Sequence, residues 1–216
     1  MDDRRQQGFS LVELLVVMLL VGIVGTVVTT SLVQSMSNTR LTSARAMALH
    51  DIERSLQVVG RELRIADPVI LDRDGRFDER IAAQVVRNDT VQIHTFTIER
   101  EEGDDDEDGI QFLFQSIIEY DRQDLLENGP EDATPITLPR RRLITDIDNG
   151  IEAVFTYHDT LGNEVVCDPS VPNECLERFG GANQVGIRLI RNLDDQEPIR
   201  AETRVSVRNL RYQRLS

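Results

Sequence analysis

Hydrophobic positions fall into three successive patterns along this chain. Residues 14–33 read LLVVMLLVGIVGTVVTTSLV, 20 positions without a charge. A helix of that length rises roughly 30 Å at about 1.5 Å per residue and so crosses a bilayer core. From Leu41 the apolar positions become periodic: Leu41, Ala44, Ala48, Ile52, Leu56, Val59, Leu63 and Ala66 recur three or four apart. Arg45, Glu53, Arg54, Gln57, Arg61 and Arg64 fall on the opposite side, so this half predicts a helix with one packed and one wet face. No proline precedes Pro68, and Asp67-Pro68 ends the helix, because the residue before proline is driven out of the α region. One helix over about 10–66 would be roughly 85 Å long.

Beyond Pro68 the period shortens to that of strands. Residues 90–98 (TVQIHTFTI) alternate strictly, 109–120 are apolar and β-prone, and 151–158 (IEAVFTYH) alternate ahead of the turn signal Leu161-Gly162-Asn163. Residues 185–190 and 203–210 read as two more antiparallel strands. The expectation is an α+β fold, a long N-terminal helix packed through its stripe on an antiparallel sheet. Its parts are a leader at 1–8, a transmembrane half of the helix at 9–36, an amphipathic half at 37–67 and a sheet headgroup at 68–216.

Charge narrows the function. The 216 residues carry a formal charge of −14, which argues against nucleic acid as a direct partner, since phosphate binding needs a basic surface to displace counterions. All the basic side chains are arginine, a bias that carries no mechanism here. A removable signal peptide is a poor account of the apolar run, which exceeds an ordinary h-region and has no A-x-A-like site after it. Gly22 and Gly25 interrupt the run. They fit close helix packing through small residues, or a segment that partly unwinds on assembly.

Glu13 is the residue that breaks the pattern. A carboxylate in a spanning helix costs roughly 2.5 to 3.5 kcal/mol at its centre and less near the interface, so it calls for a cation. Cleavage after Gly8 would supply one, the new α-amino group of Phe9. In an apolar helix bundle that amine and the Glu13 of a neighbouring subunit would neutralise each other, and a subunit one step out of register would leave both charges bare.

The residues 7–18, QGFSLVELLVVM, resemble the class III signal of type IV prepilins and type II secretion pseudopilins. The resemblance implies a pilin-like fold and cleavage between Gly8 and Phe9 by a membrane prepilin peptidase. It further implies N-methylation of Phe9 and an assembly role for Glu13. The implied partners are that peptidase and methyltransferase, other pilins or pseudopilins through their N-terminal helices, and an inner-membrane assembly platform. The implied location is the inner membrane as a single pass, N-terminus cytoplasmic and headgroup extracytoplasmic, then a filament. Residues 149–157, Asp159, Gly162 and 205–210 look like J/W-type minor pseudopilins and minor pilins, subunits placed near a filament tip.

Other candidates are weaker. Cys167 and Cys175 are the only cysteines, and the seven residues between them fit no CxxC spacing. Outside the membrane they would close a disulfide loop worth roughly 2.5 kcal/mol. Asp104, Asp106 and Asp108, ahead of Gly109, resemble the front half of a calcium loop, but Gln115 stands where the closing Glu belongs, so a solvated acidic hairpin is favoured over a calcium site. Asp72-Arg73-Asp74-Gly75 reads as a turn. Arg140, Arg141 and Arg142 read as a solvated edge pairing with carboxylates. His50, His94 and His158 have no ligand spacing, and no phosphate loop or nucleophile elbow occurs, so neither catalysis nor a cofactor is expected. The leading expectation is a structural filament subunit; the alternative is an adhesin or DNA-uptake subunit whose headgroup binds an external ligand.

Overall fold

The computed structural model describes residues 11–67, 69–72, 78–100, 111–129, 132–150, 152–166, 178–179, 182–193, 197–208 and 210–213. Two compact units divide the chain at Met47 and Ala48. One helix, α1 (Leu11–Ile65), runs through both.

In the first unit α1 is uncovered throughout. Every residue from Leu11 to Met47 is exposed, the large apolar side chains of the first two dozen positions included. The second unit opens with the last turns of α1, which bury Ala48, Ile52, Leu56, Val59 and Leu63. The expected stripe therefore packs from Ala48 onward, whereas Leu41 and Ala44 stay exposed. Arg45, Glu53, Arg54, Gln57, Arg61 and Arg64 are all exposed, as a wet helix face requires.

The rest of this unit forms two sheets rather than one. The larger contains β1 (Val69–Asp72), β2 (Arg80–Arg87), β3 (Thr90–Arg100), β4 (Gln111–Asp121), β5 (Ile136–Thr137), β6 (Arg141–Ile147) and β10 (Leu210–Gln213), in the order β10-β1-β2-β3-β4-β5, with β6 also on β4. The smaller contains β7 (Phe155–His158), β8 (Gln184–Arg191) and β9 (Ile199–Ser206) in the order β7-β8-β9. A short helix, α2 (Arg122–Asn128), follows β4, its first N–H groups accepted by the Asp121 carboxylate. The β2–β3 connection is the two-residue turn Asn88-Asp89, with Asn88 at φ 51, a conformation asparagine tolerates. Alternation places Ile81, Ala83, Val85, Phe96, Ile98 and Leu113 of the larger sheet in one buried cluster. The helix stripe joins it, as do Phe155, Tyr157, Val185, Ile187 and Leu189 of the smaller sheet. The architecture is thus α+β and pilin-like, a long apolar N-terminal helix followed by an antiparallel sheet domain.

Two strand expectations need correction. The strand expected at 203–210 is two: β9 stops at Ser206, and the chain changes sheets before β10 pairs with β1 in parallel, the one parallel pair among the described strands. The strand expected at 151–158 begins only at Phe155. Upstream of it the Asn149 side chain takes the strand's place, donating to the Arg188 carbonyl at 3.0 Å and accepting from the Ile190 N–H at 3.0 Å. In the larger sheet β4 and β6 pair with register shifts around Leu113, and Asp146 sits at φ 59, so the ladder is kinked there.

Candidate functional site

The chemistry of the N-terminal helix begins with its lack of cover. Its most apolar 18-residue window has a mean hydropathy of 2.8 with none of it buried, so α1 is long and apolar enough to cross a membrane. Hydroxyls inside that stretch are satisfied by their own helix. Thr26 donates to the Gly22 carbonyl at 2.9 Å, Thr29 to Gly25 at 2.8 Å and Thr30 to Thr26 at 2.8 Å. Such back-bonding removes the desolvation cost a bare hydroxyl would carry in lipid. A Cβ built on Gly22 or Gly25 would meet nothing within 4 Å, so both glycines offer open backbone to a neighbour. From Ser31 to Ser43 one side of the helix turns to Ser, Thr, Asn and Gln, the polarity expected where it leaves an apolar medium.

Glu13 lies in the first turn of α1 and is exposed. Gly8 and Phe9 lie outside the described residues, so the geometry of the cleavage junction is not part of the structure. Residues 3–29 match the prokaryotic N-terminal methylation motif. The matched span carries both sides of that junction, Glu13, and most of the apolar run. It supports membership of the type IV pilin and pseudopilin superfamily, whose members are processed by prepilin peptidase, and it fits the uncovered apolar helix that follows. A prepilin-type motif implies interaction with that peptidase and with other pilins in general. A comparison with curated proteins returns no match.

The second unit holds a buried polar cluster that the sequence reading missed. Glu62, 2% exposed, accepts from Arg61 at 2.8 Å and from Arg87 at 3.3 Å, and its carboxylate lies 3.8 Å from His94 Nδ1. His94 donates through Nε2 to the Gln92 carbonyl oxygen at 3.2 Å and accepts through Nδ1 from the Gln115 amide at 3.1 Å, the pattern of a neutral imidazole. Burial lowers the His94 pKa below 6.5. Glu62 opposes that shift, and Arg87 and Arg61 add to it. Ser55, also buried, shares its hydroxyl between the Asp51 carbonyl at 2.8 Å and the Leu143 carbonyl of β6 at 3.1 Å. Glu62 and Ser55 stand at stripe spacing from Val59, and a polar residue on an apolar stripe is the signal that would have found them.

The remaining candidates divide. Arg140 pairs with Glu99 and stacks 4.2 Å from the Phe114 ring centroid, while Arg142 stacks 4.4 Å from that of Phe112. The arginine edge is therefore held by aromatic rings as well as by a carboxylate. His158 is buried beside Thr156 at 3.0 Å, His94 belongs to the cluster above, and His50 is exposed on α1. Cys167 and Cys175 lie outside the described residues, as do Asp104, Asp106 and Asp108, and so does the turn at 73–75.

Proposed function

We propose that this chain is a structural subunit of a type IV pilus or type II secretion filament, processed at Gly8-Phe9 and assembled through α1. One observation carries the reading: a methylation motif at residues 3–29 leads into a helix whose apolar side chains from Leu11 to Val33 are covered by none of the described residues. A soluble protein has no use for such a surface, and a bundle of like helices buries it at roughly 1.5 to 3 kcal/mol per large side chain relative to water.

On this reading the N-methylated amine of Phe9 meets the Glu13 carboxylate of a neighbour and sets the register. The N-terminus faces the cytoplasm and the headgroup the extracytoplasmic side, where Cys167 and Cys175 close a disulfide. Length and the resemblances at 149–157 and 205–210 favour a J/W-type minor subunit near the tip. The chain performs no reaction and is instead the substrate of the peptidase and methyltransferase. Mass spectrometry of the chain from membranes with an active prepilin peptidase tests this, with a terminus at methylated Phe9 expected. A mature chain beginning at Met1 would overturn it.

A further inference from the structure

The smaller sheet ends on a strand whose outer edge is open. All eight residues of β9 pair with β8 in unbroken register, from Gln184↔Ser206 to Arg191↔Ile199, and among the described residues no strand pairs the other side. Exposed edges of this length are usually blunted by proline, a bulge, or charges leaning over the edge. Here Ile199–Ser206 contains no proline and no bulge. Its charges are drawn back across the sheet: Arg200 reaches Glu152 at 3.1 Å, Glu202 reaches Arg188 at 3.2 Å, and Arg204 bonds Glu202 at 3.2 Å and the Gly162 carbonyl at 3.4 Å.

Beside this edge a groove of about 460 Å³ separates β9 from α1. Its floor is Leu56, Gly60 and Val205, and a Cβ on Gly60 would stand only 3.3 Å from Val205 Cγ2. Arg61 and Arg64 line it, with Glu53 the one carboxylate. Arg61 is already engaged by Glu62, while Arg64 has no ion pair among the described residues.

We propose that the β9 edge and this groove receive an extended, acidic segment of a partner filament subunit as an added strand. Main-chain bonds to β9 would hold it. Alternate side chains would enter the groove over Leu56 and Val205, and its carboxylates would meet Arg64 and Arg61. A second copy of this chain is the poorer occupant. Edge-to-edge pairing about a two-fold axis would set two sets of Arg61 and Arg64 against each other with no acidic segment between them. The inference rests on the filament reading for the source of the strand, not for the edge itself.

The test uses the full chain in detergent micelles and a fluorescent peptide about ten residues long that alternates Glu with Val or Thr. Expected are saturable binding by anisotropy and slowed amide exchange in β9. Binding should weaken by about tenfold or more when Lys replaces Glu in the peptide, when proline interrupts it, or when the protein carries Arg64→Glu. Arg122→Glu on α2 serves as the unaffected control. Equal binding of the Lys or prolyl peptide, or binding without β9 protection, would overturn the proposal. So would β9 protection that rises with protein concentration without peptide, which identifies a second copy instead. None of these results touches the reading from N-terminal processing.

Discussion

Gly186→Ala tests how the smaller sheet closes. Gly186 pairs with Thr156 across β7 and β8, and a Cβ there would lie 2.2 Å from Thr156 Oγ1 and 2.9 Å from His158 Nε2. Both neighbours are buried, 3% and 1% exposed, and bonded to each other at 3.0 Å. Thr156 is β-branched and stiff, so it must turn its hydroxyl away and break that bond. His158 already has a buried Nδ1 without a partner among the described residues. Overpacking costs about 1–3 kcal/mol and a buried group left unbonded a similar amount, less about 0.5–1 kcal/mol returned by glycine's lost freedom. The net destabilisation should be about 1–5 kcal/mol, centred near 3. Urea unfolding of the full chain in micelles, followed by near-ultraviolet circular dichroism, reads it out, since Tyr157 is buried 4.5 Å from the Phe179 ring centroid. Thr156→Ala in the same background removes the closest contact, and the pair should couple by about 1–2 kcal/mol. Stability of Gly186→Ala within about 0.5 kcal/mol of the parent, or strict additivity of the pair, would refute the argument.

The His94 pKa is lowered from 6.5 by burial, so the unfolded chain takes up a proton that the folded chain still refuses. Stability is therefore full above that value and is lost as pH falls from it through the lower folded pKa, by at most about 1.4 kcal/mol per pH unit. Glu62, Arg61 and Arg87 face the ring with Gln92 and Gln115. His94→Gln should flatten this part of the pH profile in urea titrations, and an unchanged slope would show that another group carries it. Leu63→Ala, at a fully buried stripe position, should cost about 2–5 kcal/mol, while Leu41→Ala on the exposed turn should stay within about 0.5 kcal/mol by the same unfolding assay. Glu13→Ala should insert into membranes normally but enter filaments poorly, scored by shearing and immunoblotting; full incorporation would remove its role in register.

How much of this could be read in advance depended on whether the deciding forces are local. The helix was legible because a charge-free run and then a stripe of period 3.6 both survive in one dimension, and β3 because residues 90–98 are β-prone and alternate in two runs whose phase slips between Ile93 and Phe96. The start of β9 was equally visible in Ile199, Ala201, Thr203 and Val205, though the strand was expected only from 203. Its end was not, because the switch from β9 to β10 is settled by the β1 edge, more than a hundred residues earlier in the chain. Asn149 standing in for a strand is likewise a matter of two backbone groups on β8 that no local pattern announces. Stripe spacing could not tell that packing begins at Ala48 and not at Leu41, since periodicity names a face and not its partner.

The two units solve opposite problems. The second unit gathers its buried apolar side chains in one cluster and pairs its buried charge at Glu62. The N-terminal part of α1 buries nothing among the described residues, and in passing from lipid into a helix bundle it would gain little from water exclusion, because lipid tails are as apolar as leucine. Specificity there must come from shape and from polar groups. Thr26, Thr29 and Thr30 spend their hydroxyls within the helix, and Gly22 and Gly25 offer closeness without direction. In the charge-free stretch and the turn before it, Glu13 is the one group whose charge demands a partner at a defined height. On the proposed filament reading, a subunit built this way would slide among like helices at small cost until that carboxylate meets a cation, and at that height the cost of misplacement would become that of a bare charge.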